Sequence, residues 1–270
     1  MLIERVFADN EGRNFHYLLA CAETGEALAI DPLNWQACLA RARALKWSIR
    51  QIFNTHEHGD HTGGNAALVQ HTGASVLAHA AAVGRIGNVT HGLNGGDLVH
   101  VGRSVQLRCL DTPGHTRAHL CLYAEAHSAG GTAHAPALFS GDTVFNAGVG
   151  NCIHGGDPEL LYESYADCLS RLPAPTRVFP GHEYLLRNLA FTLDREPSNR
   201  PARELAQRVT GLPAADMPVL SLAEEKQVNV FLRLDSPEII DGLQRSRRVS
   251  SSDPTPREVF LALRELRNRW

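Results

Sequence analysis

The sequence predicts an α/β (α+β) fold, in which strands alternate with helices, followed by a helical C-terminal part. Short apolar runs typical of strands recur through residues 15–181 and do not return afterwards, and stretches with helical periodicity lie between them. The Gly-, Ala- and His-rich stretch 127–136 is expected to be a polar surface loop. The 270 residues can bury one large core, with or without an appended unit. We therefore expect one domain over residues 1–185 and a helical domain over residues 186–270.

The expected elements follow one another in a regular order. Seven runs have the composition of strands: FHYLLACA (15–22), ALAID (27–31), IRQIFNT (49–55), SVLAH (75–79), VQLRCLD (105–111), ALFSGD (137–142) and RVFPG (177–181). Residues 34–46 and 158–172 each place apolar side chains on one helical face. Near the C-terminus, Thr255 and Glu258 form a capping-box pattern around Pro256, which predicts the start of the last helix.

Composition excludes several classes of protein. Apolar residues make up 43% of the chain, charged residues make up 20%, and the formal net charge is -3, so nothing attracts the protein to nucleic acid or to an anionic membrane. The N-terminus lacks the apolar segment of a signal peptide, and no apolar run reaches the ~18 residues of a membrane span, so a cytoplasmic location is expected. The six cysteines show no C-x-x-C spacing and are expected to be free thiols.

The stretch THEHGDHTGGN (55–65) crowds potential metal ligands together at the end of an apolar run. His56 and His58 are two residues apart, so they project to the same side of an extended strand end, and Asp60 and His61 follow on a loop that leads into a helix. A polar turn with solvated histidines is the alternative interpretation. The density of imidazole and carboxylate groups favours a bound cation, because these groups are costly to hold together without one.

Three further strand ends carry the same kinds of side chain. His115, Asp142 and His182 each follow an apolar run and each comes directly after a glycine, which lets the backbone turn sharply. Taken singly, each could be a turn residue or a helix cap, but together they point to one site. Seven ligands are too many for one tetrahedral ion and suit two ions that share a carboxylate. His119 is close enough to His115 in sequence to support it.

The pattern T-H-x-H-x-D-H, with the later G-H, G-D and G-H-E-Y, resembles the metallo-β-lactamase superfamily and, within it, glyoxalase II, the hydroxyacylglutathione hydrolases. The resemblance extends over nearly the whole chain and includes TPGHT, ALFSGDTVF, GGDPELLYESY, FPGHEYLLRNLAFTLDREPSN and AEEKQVNVFLR. It implies an αββα sandwich with metals at one edge of its two sheets, followed by a helical domain that completes the substrate pocket. It also implies one ion on His56, His58 and His115, a second ion on Asp60, His61 and His182, and Asp142 as the bridge.

The residues also favour a particular chemistry. Two cations within about 4 Å of each other lower the pKa of a shared water toward ~7, which provides hydroxide to attack a carbonyl, with Asp60 and Asp142 as the catalytic carboxylates. There is no G-x-S-x-G motif and no cysteine in a recognisable nucleophile motif, so no covalent acyl-enzyme is expected. A thiolate, whose parent thiol has a pKa of ~8.5, leaves without a strong general acid, which favours a thioester over an amide.

The expected enzyme is a dinuclear thioesterase that acts on S-2-hydroxyacylglutathione, such as S-lactoylglutathione, or on a related acyl thioester. The alternatives are a lactonase or β-lactamase-like hydrolase with the same metals, and a non-catalytic metal-binding regulatory module. Zinc is the first candidate for the two divalent ions, with iron or manganese as alternatives, because all three accept mixed imidazole and carboxylate ligands.

The expected substrate contacts depart in part from the glyoxalase II pattern. Asn151 stands where that family usually has a basic residue, and Ile153 stands where it usually has an aromatic one. Tyr184 matches the pattern, and Arg264 and Arg267 match in charge and spacing the two basic residues that face the glutathione peptide. A solvated helix face is the alternative interpretation of the two arginines.

Overall fold

The computed structural model describes residues 1–129 and 132–270, and most of its strands belong to two sheets. The strands are β1 Leu2–Phe7, β2 Phe15–Ala20, β3 Glu26–Ile30, β4 Ser48–Phe53, β5 Ser75–His79, β6 Val89–Leu93, β7 Leu98–Val101, β8 Val105–Asp111, β9 Leu120–Ala124, β10 His127–Ala129, β11 Thr132–His134, β12 Ala137–Gly141, β13 Val144–Phe145, β14 Gly148–Val149 and β15 Arg177–Pro180. The helices are α1 Trp35–Ala44, α2 Gly59–Thr62, α3 Asn65–Thr72, α4 Pro158–Glu163, α5 Leu185–Arg195, α6 Arg200–Val209, α7 Leu222–Val228, α8 Pro237–Arg245 and α9 Pro256–Arg269.

The first sheet contains β1 to β6 in chain order. Its first three strands pair antiparallel, and β3 to β6 pair parallel, with α1 and α3 as crossover helices on the outer face. The second sheet has the order β15-β12-β9-β8-β7, in which only β12 and β15 pair parallel. The remaining strands form two short hairpins, β10 with β11 and β13 with β14.

Three apolar clusters hold the layers together. Between the sheets, Tyr17 and Phe53 pack with Phe139 and other buried side chains. On the outer face of the first sheet, the core includes side chains of α1 and α3. On the outer face of the second sheet, Leu138 on β12 shares a core with Phe260 on α9. The layers therefore run helix, sheet, sheet, helix, as an αββα sandwich requires, and the expected fold class is confirmed.

Most expected elements are present, with three differences. All seven expected strand runs contain a strand, and β8 matches its expected bounds, Val105–Asp111. The short or partly exposed strands β1, β6, β7, β13 and β14 escaped the prediction. The helix expected over 158–172 is α4 followed by a π-helical turn, Ser164–Cys168, and a 3₁₀ turn, Leu169–Arg171. The stretch 127–136 contains β10 and β11 rather than a loop alone, and Gly130 and Gly131 lie outside the described residues.

The C-terminal helices form one layer of the sandwich. α9 begins with the expected capping box, in which Thr255 and Glu258 bond to each other's backbone amides. Together with α5, α7 and α8 it covers the second sheet, so its apolar face is buried in the main fold. Within the described ranges, no helix is long and apolar enough to cross a membrane, and all six cysteines are free.

Candidate metal centre

The candidate ligands converge at one edge of the two sheets because each follows the end of a strand. His56 and His58 come directly after β4, and His58 caps the N-terminus of α2. Asp60 and His61 lie within α2, a helix of a single turn, rather than on a loop. Helical geometry places Asp60 and His61 on adjacent positions of this turn, beside the two histidines that precede it.

The strands of the second sheet bring the other three ligands to the same edge. His115 follows β8, Asp142 follows β12 and His182 follows β15. β12 and β15 pair parallel, so their carboxyl ends lie side by side. All seven expected ligands are therefore gathered in one cluster, and all of them except His58 and Asp60 are buried.

The cluster divides into groups that match the expected ligand sets. The ligand atoms of His56, His58 and His115 lie within 4.8 Å of one another, as do those of Asp60, His61 and His182. In the first group, His58 Nδ1 is 3.0 Å from both His56 Nε2 and His115 Nε2. In the second group, His61 Nε2 is 3.3 Å from His182 Nε2.

Asp142 lies between the two groups. Its Oδ2 is 3.4 Å from Nε2 of His115 in the first group and 3.2 Å from Nε2 of His182 in the second. Its Oδ1 is 3.4 Å from His61 Nε2, and this buried oxygen has no hydrogen-bond partner among residues 1–129 and 132–270. Because a buried carboxylate oxygen without a partner is costly, the position suits a ligand to a cation. A carboxylate that faces both groups has the geometry of a bridge.

Each of the five histidines directs one ring nitrogen into the cluster. A hydrogen bond at the second ring nitrogen, which points away from the cluster, holds the ring in this orientation. The five partners, with the distances from the held nitrogens, are Thr55 Oγ1 at 2.9 Å from His56, the His154 carbonyl at 3.2 Å from His58, Asp31 Oδ2 at 2.9 Å from His61, the Asn151 carbonyl at 2.6 Å from His115 and the Gly12 carbonyl at 2.5 Å from His182. Metal-ligating histidines in proteins are held in this way. The donor set and its orientation therefore fit divalent metal ions.

The electrostatics of the cluster reflect the close packing of imidazole and carboxylate groups. Burial lowers the pKa of His56 well below its usual value, so the ring is a neutral donor. Burial raises the pKa of Asp142, but His182 and His61 lower it more strongly, to well below its usual value. The carboxylate is therefore ionised. Burial lowers the pKa of His61, while Asp142 and Asp31 raise it more strongly, to well above its usual value.

Asp31 was missed from sequence, although a signal was present. It follows β3, accepts hydrogen bonds from the Thr55 amide at 2.8 Å and from Thr55 Oγ1 at 2.7 Å, and holds His61. It is the last residue of the run ALAID, so it is a carboxylate at a strand end like Asp142. Asn14 was also missed. Its Nδ2 donates to Asp60 Oδ2 at 3.1 Å, and no local pattern indicates this contact across the fold.

His119 supports the site through Asp142, whereas the sequence led us to expect that it supports His115. Its Nε2 accepts a hydrogen bond from the backbone amide of Asp142 at 3.2 Å, and its ring stacks on His56 with centroids 5.2 Å apart. Its Nδ1 lies 2.9 Å from Thr112 Oγ1. His119 therefore fixes the backbone at Asp142 instead of the ring of His115.

The glycines before the ligands have the roles expected from sequence. Gly114 and Gly141 have φ angles of +147° and +46°, which favour glycine. A Cβ on Gly181 would lie 2.4 Å from Asp142 Oδ1. Any larger residue at 181 would therefore displace the carboxylate that lies between the two groups.

Three of the expected substrate contacts lie beside the cluster. The ring of Tyr184 stacks on that of His182, with centroids 5.0 Å apart, and its hydroxyl donates to the Gly12 carbonyl at 3.1 Å. Asn151 uses its carbonyl to hold His115, and its Oδ1 accepts from the Ile153 amide at 3.0 Å. The side chain of Ile153 is 62% exposed, so it is available at the rim of the site.

The two arginines of α9 have different surroundings. Arg264 is buried, and its Nη1 donates to the carbonyls of Val149 and Gly150, so the alternative of a solvated helix face is wrong for this residue. Arg267 is half-buried and donates to Asn188 Oδ1 at 3.2 Å. Burial lowers the pKa of Arg267, and the positive charge of the exposed Arg187 on α5 lowers it further.

Comparisons with known proteins agree with this site. Residues 18–182 match the model of the metallo-beta-lactamase superfamily, and residues 183–270 match that of the hydroxyacylglutathione hydrolase C-terminus. The chain is 52% identical to a hydroxyacylglutathione hydrolase of Polaromonas sp. over the full length of both proteins. It is 32% identical to a cytoplasmic hydroxyacylglutathione hydrolase of Arabidopsis thaliana, with 95% of each chain covered.

Solved structures show the same fold. The crystal structure of ETHE1 from Myxococcus xanthus superposes with a TM-score of 0.66 at 26% identity, covering 99% of this chain and 98% of that one. TTHA1623 in a di-iron-bound form has a TM-score of 0.53 at 29% identity, covering 66% of this chain and 91% of that one. With its histidine and aspartate cluster, its sandwich fold and its full-length relatives, this chain belongs to the hydroxyacylglutathione hydrolase family of the metallo-β-lactamase superfamily.

Proposed function

We propose that this protein is a metal-dependent thioesterase that hydrolyses S-2-hydroxyacylglutathione, such as S-lactoylglutathione. The observation that carries the proposal is the cluster of two ligand groups with Asp142 between them, at the sheet edge of a chain whose full-length relatives are hydroxyacylglutathione hydrolases. A cytoplasmic location belongs to the same proposal, and the name of the Arabidopsis thaliana relative supports it.

The site has the ligands for two divalent ions. One ion would be held by His56, His58 and His115, the other would be held by Asp60, His61 and His182, and Asp142 would bridge them. Zinc is our first candidate, and iron is supported by the di-iron form of TTHA1623. Bound divalent ions would polarise the substrate carbonyl and lower the pKa of water at the site.

Asp60 and Asp142 are the proposed catalytic carboxylates, and their surroundings differ. The side chain of Asp60 is 43% exposed, whereas that of Asp142 is 7% exposed, so Asp60 is the one that reaches the substrate side. Burial raises the pKa of Asp60, but His61 and the hydrogen bond from Asn14 lower it more, which keeps the carboxylate ionised. An ionised, partly exposed carboxylate can accept a proton from the attacking water.

The cysteine beside the candidate substrate contacts does not suit a covalent route. Cys152 is the cysteine in the loop that carries Asn151 and Ile153, and burial raises the pKa of its thiol to about 11. A neutral thiol is a poor nucleophile, so direct attack by water is the better-supported route. A thiolate leaving group needs little protonation, because a free thiol has a pKa of ~8.5.

The glutathione part of the substrate carries carboxylates, and a basic surface lies next to the cluster. Arg187 is close enough to Arg267 for its positive charge to lower the pKa of Arg267, and Tyr184, whose ring stacks on that of His182, interacts electrostatically with both arginines. Two neighbouring guanidinium groups favour an anion between them. We propose that this basic pair takes the place of the basic residue that is missing at Asn151.

The test is turnover of a substrate panel by apoprotein and by metal-loaded protein. S-lactoylglutathione should be hydrolysed by the zinc- or iron-loaded protein, activity should be lost on chelation, and readdition of metal should restore it. A lactone and a cephalosporin should react much more slowly. Preference for either of them would support the alternative hydrolase, and absence of any turnover by the protein with two ions bound would support a metal-binding regulatory module.

A further inference from the structure

The segment 146–150 connects the C-terminal helices with the metal centre. It contains the turn and second strand of the β13–β14 hairpin, and each of its five residues is bonded through its backbone to a buried polar side chain from the C-terminal part. The contacts are Asn188 Nδ2 to the Asn146 carbonyl at 2.9 Å, the Ala147 amide to Glu225 Oε2 at 2.9 Å, Asn229 Nδ2 to the Gly148 carbonyl at 3.1 Å, and Arg264 Nη1 to the carbonyls of Val149 at 3.0 Å and Gly150 at 2.9 Å.

Two of these side chains, Glu225 and Arg264, are ionisable groups that form no salt bridge within residues 1–129 and 132–270. Glu225 is fully buried, and Arg264 is 4% exposed. A buried charge is costly unless its hydrogen bonds are well made. In Arg264, Nη1 is occupied by two carbonyls and Nη2 donates to Asn268 Oδ1 at 2.8 Å. Nη1 and Nη2 are therefore committed to groups of the protein itself, whereas Nε is buried without a hydrogen-bond partner among the described residues.

The end of this segment touches the metal ligands directly. A Cβ on Gly150 would lie 1.9 Å from the Asp142 carbonyl, so the two backbones are in contact. The next residue, Asn151, accepts the hydrogen bond from His115 Nδ1 at 2.6 Å. A chain of contacts thus runs from Arg264 through Gly150 to Asp142, and through Asn151 to His115.

We propose that Arg264 is a positioning residue for the metal centre, because it fixes the backbone at Val149 and Gly150 from which the Asn151 carbonyl orients His115. The expectation that Arg264 contacts the glutathione carboxylate stays a separate prediction. The positioning role rests on metal binding and not on the identity of the substrate, so it can fail or succeed independently of the proposed thioester activity.

Binding of Zn²⁺ to the apoprotein tests the proposal. Arg264→Met should weaken the affinity for Zn²⁺, measured by competition with a chelating indicator, by about ten-fold for at least one ion, the lower end of the effect of lost ligand orientation. Arg264→Lys should recover part of the loss, since an ammonium group can donate to the same carbonyls. The matched control is Arg233→Met, because Arg233 is a partly buried arginine of the C-terminal part that bonds Glu196 instead of the hairpin.

Two results would overturn the proposal. If Arg264→Met binds Zn²⁺ like the unmodified protein and only KM for the thioester rises, Arg264 is a substrate contact. If Arg264→Met and Arg233→Met lower the melting temperature equally and both keep full Zn²⁺ affinity, the role of Arg264 is only structural. If Arg264→Met fails to fold, Arg264→Gln, which retains one donor group, is compared with Arg233→Met instead. Unchanged Zn²⁺ affinity of Arg264→Gln would then count against the proposal.

Discussion

Two arginines one turn apart on α9 show how strongly the role of a residue depends on its surroundings. Arg264 is directed inward and donates to two backbone carbonyls, whereas Arg267 lies over the rings of Phe191 and Trp270 and beside Arg187. Their spacing in the sequence is that of neighbours on one helical face. The difference arises because Arg264 faces the β13–β14 hairpin, whereas Arg267 faces Asn188 and Phe191 of α5.

At this scale we predict that Arg187→Ala and Arg267→Ala each raise KM for S-lactoylglutathione. A charge-assisted hydrogen bond to a carboxylate contributes about 1.5 to 3 kcal/mol, so an increase of about ten-fold to a hundred-fold is expected. The zinc content and kcat should change little. Steady-state kinetics measures KM and kcat, and elemental analysis measures the zinc content. The control is Arg200→Ala, at an exposed position on α6. Unchanged KM in both variants would mean that this basic pair does not bind the substrate.

At the scale of elements, α7 contributes the most unusual buried group outside the metal centre. It begins with a capping box formed by Ser221 and Glu224, and it places Glu225 in the core against Ala147. Burial raises the pKa of Glu225 to about 8, although the hydrogen bonds from Asn229 and the Ala147 amide lower it. The usual value is 4.5, so this carboxyl group binds a proton more tightly in the folded chain than in the unfolded chain.

This shift predicts the pH dependence of Glu225→Gln. Because the folded pKa is raised, the contribution of Glu225 to the free energy of unfolding is most favourable below about pH 4.5 and is lost as pH rises through 8, at about 1.4 kcal/mol per pKa unit. The free energy of unfolding of Glu225→Gln, relative to the unmodified protein, should therefore rise between pH 5 and pH 8. Urea denaturation of both proteins at several pH values measures this difference. A difference that does not vary with pH would show that Glu225 has an ordinary pKa.

At the scale of the whole molecule, the catalytic sheets and the C-terminal helices share one core. Leu138 and Val178 of the second sheet pack in the same cluster as Phe231 and Phe260 of the helical part. The contacts of segment 146–150 cross the same interface. The boundary expected near residue 185 therefore separates two parts that depend on each other for burial of apolar surface.

We predict that a fragment of residues 1–185 does not fold cooperatively by itself. Without the C-terminal helices, the outer face of the second sheet would be exposed to water, and exposed apolar area costs about 25 cal/mol per Å². Circular dichroism on heating should show no sharp transition for the fragment and a sharp one for the full chain. Addition of residues 186–270 as a second fragment should restore the transition. A cooperative transition of fragment 1–185 alone would show that the first part is an independent domain.

Local patterns predicted much of the molecule because they depend on neighbours within a few residues. The strand runs and the start of α9 were correctly expected, and the αββα fold implied by the family resemblance is confirmed. The expected metal ligands could be identified because histidines and aspartates at strand ends are conspicuous in one dimension. The strands that escaped, such as β6 and β13, are short or partly exposed and lack a local signal that separates them from loops.

The sequence by itself determined the fold class and the set of candidate metal ligands, since both follow from composition and short-range spacing. Only the tertiary structure decided that Asp31 holds His61, that His119 supports Asp142, and that Arg264 is buried against the hairpin. These contacts join residues between 23 and 115 positions apart. The physical reason is that burial and hydrogen bonding depend on which side chains the packed layers bring together. The distance between two side chains in the folded protein cannot be read from their order along the chain.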